Sequence, residues 1–264
     1  KIGAPRQISL EGLGLGDVVA RGIAEVLPTL PCVSSLNVCN NRLTDASLVA
    51  LCEAVVHVES LQELDISEND VDDAAVTIRD YLGSSMCRLK SLAMRQADVD
   101  DMECASFMKA LCRNTTLTEL DLSHNLIGTE EARNVVNPDF ETGAEAIAEM
   151  LERNRTLTKL NIGWNYIRKD SATQIGEALE HNSTLKSLNI SYNSFGEVPG
   201  QHLGASLGYN TGLTELDIGF NDIQPRAAMV IANAFKTNDT LQKLILDGNR
   251  LGKAGGEAIM ASVT

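Results

Sequence analysis

Glu119 and Asp121 stand two residues apart in a segment of extended character, so both project from one side of a strand, roughly 6 to 7 Å apart. Paired acids at that separation could serve a glycosidase. The same E-x-D spacing returns at Glu63/Asp65 and Glu215/Asp217, and a feature repeated along a chain reads as a surface consensus rather than an active centre. The segment DISENDVDD, from Asp65 to Asp73, places Asp65, Ser67 and Asn69 at alternate positions, as a calcium loop would. Asp70 stands where such a loop needs Gly, and Val76 where it needs a bidentate Glu. The glycines of GLGLG (Gly12–Gly16) and GKAGG (Gly252–Gly256) lack the spacing and K-[ST] ending of a phosphate loop and read as turn glycines. No two of the six cysteines are spaced C-x-x-C, so neither a zinc ribbon nor a dithiol redox site is indicated.

The elements that carry these residues must come from 264 residues, of which 44% are hydrophobic, enough for a sizeable core. The formal net charge of −14 argues against a nucleic-acid partner and favours a neutral or basic one. No run approaches the roughly 18 apolar residues of a membrane helix, and the opening residues do not read as a secretory signal. With six unpatterned cysteines, these features point to a reduced, cytoplasmic setting.

One template, L-x-x-L-x-L-x-x-N-x-L, begins at Pro5, Val33, Leu61, Leu89, Leu117, Leu157, Leu185, Leu213 and Leu241. Seven of the eight steps are 28 residues; the step from Leu117 to Leu157 is 40, which places a 12-residue insertion, 129–140 (TEEARNVVNPDF), inside the fifth repeat. In each copy the fourth and sixth positions, such as Leu160 and Ile162, share the core side of a short strand. The ninth-position Asn follows the strand and is expected to bond turn backbone, forming an internal ladder broken at Leu13 and Ala97, where local irregularity is expected. Ala172, Ile175 and Leu179, like Ala144, Ile147 and Leu151, recur at helical spacing. Five such helices end in Asn (Asn114, Asn154, Asn182, Asn210, Asn238), expected to cap them in left-handed geometry. Four of the five N-x-[ST] sequons are these caps and the fifth, Asn189, lies in a strand, so the sequons read as structural rather than glycosylated. On this period Cys39 and His124 lie three repeats apart, about 14 Å, too far for a nucleophile and its base. His57, His181 and His202 fall in mutually distant repeats, and neither metal nor cofactor is indicated.

At LTELDLSHNLI, LTKLNIGWNYI, LKSLNISYNSF, LTELDIGFNDI and LQKLILDGNRL the sequence resembles the leucine-rich repeat family, and its repeat length and full helices resemble the ribonuclease-inhibitor-like subclass. The resemblance covers about nine repeats in a single domain, 1–264. It implies an α/β solenoid, a horseshoe with a parallel β-sheet on the concave side and α-helices on the convex side. Neither end carries the polar cap a solenoid needs, so further segments are expected to cover Ile8 and Leu10 at one end and Ile259 and Val263 at the other, which suggests a piece of a longer chain.

The eighth column of the repeat reads Gly12, Asn40, Glu68, Gln96, His124, Trp164, Tyr192, Phe220, Gly248. Trp164, Tyr192 and Phe220, preceded by His124 and joined by Tyr166, are expected to form an aromatic strip at the edge of the concave sheet, of the kind that anchors a protein partner. Seven acids and no Lys or Arg lie between Glu59 and Asp73. Glu63, Asp65 and Glu68, extended by Asp98, Glu119 and Asp121, are expected to face the concavity and steer a basic partner. The insertion is placed on one rim, with a turn at Asn137-Pro138. The function expected is non-catalytic protein recognition through the concave face and rim. The resemblance also implies alternatives: a GTPase-activating protein like the Ran activator, acting on a small GTPase through rim residues such as Asn40, Arg42 and Arg95; a subunit of a cytoskeletal or ciliary assembly; or the sensor domain of an immune receptor.

Overall fold

A computed structural model of the protein describes residues 5–133 and 141–262. The strands β1 (Arg6–Ser9), β2 (Val33–Asn37), β3 (Glu63–Asp65), β4 (Ser91–Ala93), β5 (Glu119–Asp121), β6 (Lys159–Asn161), β7 (Ser187–Asn189), β8 (Glu215–Asp217) and β9 (Lys243–Ile245) form one sheet in sequence order. All pairs are parallel, and equivalent repeat positions face each other, as in Leu92↔Leu120 and Leu188↔Leu216. The 40-residue step leaves this register intact, with Glu119 opposite Lys159. Register holds because strands β2 to β8 each bury a Leu on the core side, and a one-residue slip would turn that Leu to solvent.

Helices α1 (Gly16–Val26), α2 (Asp45–Val56), α3 (Ala74–Gly83), α4 (Asp101–Leu111), α5 (Thr129–Ala132), α6 (Gly143–Arg153), α7 (Lys169–His181), α8 (Glu197–Leu207), α9 (Pro225–Ala234) and α10 (Gly252–Ser262) return the chain on the other side of the core. Ala172, Ile175 and Leu179 of α7 and Ala144, Ile147 and Leu151 of α6 are buried, as their spacing predicts. Neighbouring helices approach closely where small residues allow it; a Cβ on Gly204 would lie 2.8 Å from the Ile231 nitrogen. Helices are still broader than the roughly 4.8 Å between strands, so the helical side is the convex one and the sheet lines the inner wall.

Two asparagine ladders tie the repeats together. Along the first, each ninth-position amide reaches one repeat back: Asn125 Nδ2 donates to the Met94 carbonyl and Oδ1 accepts the N–H groups of Ala97 and Val99. At Ala97 the missing amide is replaced by the main chain, whose carbonyl accepts the Val71 N–H at 3.2 Å, and β4 keeps its register. At the first turn Leu13 is exposed, Asn41 closes the turn onto Leu10 and Leu15, and the β1–β2 register shifts between Arg6 and Gln7.

The second ladder corrects the expected helix caps. Asn154 and Asn182 are extended, with φ −71° and −95°, and none of the five helix-ending asparagines has positive φ. Extended backbone aims the amide across the repeat boundary. Asn154 Nδ2 donates to the Leu111 carbonyl and Asn182 Nδ2 to the Leu151 carbonyl, both at 2.7 Å, so each Asn satisfies the end of the preceding helix. Each Oδ1 accepts the N–H groups two and three residues on. Asn114, Asn154, Asn182 and Asn238 each spend Nδ2, the atom a glycan would take, on a main-chain carbonyl, while Asn189 Oδ1 holds the Ser191 N–H.

A buried carboxylate organises the fifth repeat. Asp101 Oδ1 accepts the N–H of Gly128 at 2.8 Å and of Gly143 at 2.9 Å, while Oδ2 accepts that of Glu130. It thus holds both ends of the segment containing the insertion. The first residues of the insertion form α5, and Glu131 there accepts from the Asp170 N–H and the Ser171 hydroxyl, at the start of α7. The rest of the insertion, including Asn137-Pro138, lies outside the described residues.

Candidate functional site

The chain leaves each strand through one left-handed residue. All nine eighth-column positions have positive φ, from 49° at Gln96 to 69° at Gly248, including Trp164 (56°), Tyr192 (53°) and Phe220 (54°). That turn sends the ninth-position Asn inward and the eighth side chain outward. It also lets the eighth N–H donate to the seventh carbonyl of the next repeat, as Trp164 does to Ser191 and Tyr192 to Gly219. A bulky residue in this region is strained, and glycine or asparagine suits it best. Gly12, Asn40 and Gly248 in the same column were the sequence signal for this geometry.

Held at one repeat spacing, the rings of four successive repeats stack. His124 lies 4.9 Å from Trp164, Trp164 3.7 Å from Tyr192 and Tyr192 4.1 Å from Phe220, centroid to centroid, with interplanar angles of 11° to 14°. Phe220 leans over Gly248, where an added Cβ would clash with its ring. Because the inner faces are spent on one another, the column shows solvent its ring edges; Trp164 is 47% and Phe220 45% exposed. Tyr166 is exposed on the same rim but makes no ring contact with the column among the described residues, which corrects its expected membership; it sits at the tenth position, outside the left-handed one.

Beside the column the concave floor is low and polar: Gly163, Ser191 and Gly219 occupy the seventh position, and Asn161, Asn189 and Asp217 the fifth. The fifth-position side chains accept the N–H two residues on, at 3.1 Å for Gly163 and 2.9 Å for Gly219. Asp65 and Asp121 do the same for Ser67 and Ser123, so these two acids hold the turn as well as carrying charge. Glu68 pairs with Arg95 at 3.3 Å and Glu119 with Lys159 at 2.7 Å, while Glu63 is exposed and forms no ion pair among the described residues. The acidic field is felt at Asp45, whose carboxyl is raised by burial first and then by the charges of Asp70, Asp72 and Asp73. The Cys39 thiol is pushed up to about 11 by burial and by Asp65 and Glu68, which suppresses its nucleophilic form. Among the described residues no group of three His, Cys, Asp or Glu could hold a metal ion, and no helix is long and apolar enough to cross a membrane.

A family model described as Leucine Rich repeat matches residues 59–77, 113–130, 153–175, 181–197, 209–232 and 237–260. Ribonuclease inhibitor from Sus scrofa is 31% identical over 132 residues, 49% of this chain and 29% of that protein. The chain is a leucine-rich repeat protein of the ribonuclease-inhibitor-like subclass. A human NACHT, LRR and PYD domains-containing protein 5 is 31% identical over 127 residues, 47% of this chain and 11% of its own length. This leucine-rich repeat chain therefore spans less than a third of either relative. An internalin from Listeria monocytogenes superposes with a TM-score of 0.51 at 17% identity, covering 92% of this chain and 68% of that one, a likeness of fold.

Within this leucine-rich repeat protein, the structure gathers His124, Trp164, Tyr192 and Phe220 into one unit. Glu63, Asp65, Glu68, Glu119 and Asp121 lie on strands β3 and β5 or the turn after β3, so the acidic region flanks the column on the N-terminal side of the sheet.

Proposed function

We propose that this chain is a non-catalytic recognition module that holds a protein partner against its concave face and rim, with the aromatic column as anchor and the acids of repeats three to five steering a basic surface of that partner. The observation that carries this reading is the column itself: large, rigid, half-exposed rings kept in strained backbone geometry beside a low polar floor. Such rings offer contact area at little entropic cost, which is what binding hot spots use. The relatives support it in kind, since one is by name an inhibitor of an enzyme.

The test begins with a partner captured by the 264-residue chain and identified by mass spectrometry. Trp164→Ala, Tyr192→Ala and Phe220→Ala should each weaken its binding by about 1 to 4 kcal/mol. Trp164 is the sole tryptophan, so its emission should shift on titration with the partner. Full affinity in the triple variant would remove the anchor. Reversing Glu63, which is free to act at a distance, should slow association and flatten its salt dependence while leaving dissociation nearly unchanged.

A further inference from the structure

The convex side carries two adjacent grooves of opposite charge. The first, about 680 Å³ across α3, α4 and α6, is lined by Arg79, Lys109, Arg113 and Arg153 against two acids, Asp80 and Glu149. The second, about 360 Å³ between α6 and α7, is lined by Glu141, Glu145, Glu149, Glu152 and Glu177 and by no cation. In a chain of net charge −14, gathering four of the 22 cations into one groove leaves the rest of the surface still more acidic. On α6 Glu145, Glu149 and Glu152 stand at helical spacings of four and three, where like charges repel along one helix face.

We propose that the convex face is a self-complementary interface, through which two copies of this chain associate about a two-fold axis over α6. When two opposite patches lie side by side, a two-fold rotation sets the basic groove of each copy on the acidic groove of the other. The axis that exchanges the two flanks runs along α6, so the two α6 helices lie parallel, and Arg113 and Arg153, at the ends of their helices, come level with Glu152 on the flank of the counterpart. One arrangement thus accounts for both grooves, whereas a basic or an acidic foreign partner would account for only one.

The internal ion pairs do not stand in the way. Arg79–Asp80, Lys109–Glu141, Arg153–Glu149 and His202–Glu177 have exposed basic partners, 40% to 63% by side chain, and such pairs are weak enough to exchange partners. Arg113 is exposed and forms no ion pair among the described residues. Repulsion between two chains of charge −14 opposes association at low ionic strength. At about 0.15 M salt the screening length is about 8 Å, so the net charges are damped while contacts at 3 to 4 Å persist.

The experiment is sedimentation equilibrium of the 264-residue chain from about 10 μM to 1 mM. The apparent mass should rise from 28.4 kDa towards twice that value near 0.15 M salt, and fall back both at 0.01 M and at 1 M. Lys109→Glu/Arg113→Glu reverses the basic groove and Glu152→Lys/Glu177→Lys the acidic one; all four residues lie outside the core, and circular dichroism checks that each variant is folded. Each should be monomeric alone, and an equimolar mixture of the two should recover the dimer. A wild type that stays monomeric throughout, a variant that still self-associates, or a mixture that fails to pair would each overturn the proposal. The concave column is untouched by these variants, so partner binding there stands or falls separately.

Discussion

Tyr192 is held by two opposing forces, and their balance can be measured. Its ring stacks on Trp164 and on Phe220, each contact contributing about 0.5 to 1.5 kcal/mol. Its backbone sits at φ 53°, where a side chain costs about 1 to 2 kcal/mol that glycine avoids. Tyr192→Ala loses the rings and keeps the strain, so it should destabilise by about 1 to 2 kcal/mol. Tyr192→Gly loses the rings and the strain together and should unfold in urea close to wild type. Equal losses in the two variants would mean that the left-handed turn carries no cost at this site. A glycine-like stability with a lost partner would place the value of the ring in binding. The column's types, positions and side-by-side placement were legible in the sequence, but the near-parallel, face-to-face packing of its rings was not. Its members are Gly, Asn, Glu, Gln, His, Trp, Tyr and Phe in turn, and only the shared backbone conformation, which no single side chain dictates, makes them one feature.

At the scale of the element, α4 opens with a reciprocal cap in which Asp100 accepts the N–H groups of Met102 and Glu103 while Glu103 accepts that of Asp100. Burial raises the Glu103 carboxyl first and the Asp100 side chain adds to it, pushing it up to about 7. Asp100 goes the other way: although burial opposes it, bonds from Glu103 and the helix N–H groups hold it below the usual range. Between the ordinary carboxyl value of 4.5 and about 7, the folded chain keeps a proton on Glu103 that the unfolded chain has released. Glu103 therefore favours the folded state at low pH, and its contribution fades as pH rises through about 7. Glu103→Gln keeps the acceptor and cannot ionise. It should match wild type near pH 5 and exceed it at pH 8 by about 1 kcal/mol, the shift being discounted for a half-exposed site. Parallel urea curves at both pH values would show that the cap does not titrate. The helix periods were readable in the sequence. The extended helix-ending asparagines were not, because an amide can close its own helix or reach the one before it, and the choice depends on a carbonyl 31 residues away in sequence, as between Asn182 and Leu151.

Across the whole molecule each repeat touches only its neighbours, so stability is a chain of interface energies and the weakest link decides whether the array unfolds as one. The fifth repeat is where that link is most exposed to test. Sequence showed that the step there is 40 residues long but not how the two sides stay coupled, because the group responsible lies in the preceding repeat and acts on Gly128, Glu130 and Gly143, 27 to 42 residues away. Asp101 is 1% exposed, and its removal in Asp101→Ala strands three main-chain donors at one boundary, at about 1 to 3 kcal/mol for each that water cannot reach. The sheet would still cross the boundary through β5 and β6, so the variant should fold. Its unfolding should divide. Trp164 emission, which reports the sixth repeat, and hydrogen exchange in α2 and α3, which reports the second and third, should coincide in wild type and separate in the variant. Asp101→Asn, which retains one carbonyl acceptor for Gly128 or Gly143, should fall between the two. If both probes still move together in Asp101→Ala, coupling across the widened repeat resides in the sheet and the helix layer rather than in this carboxylate.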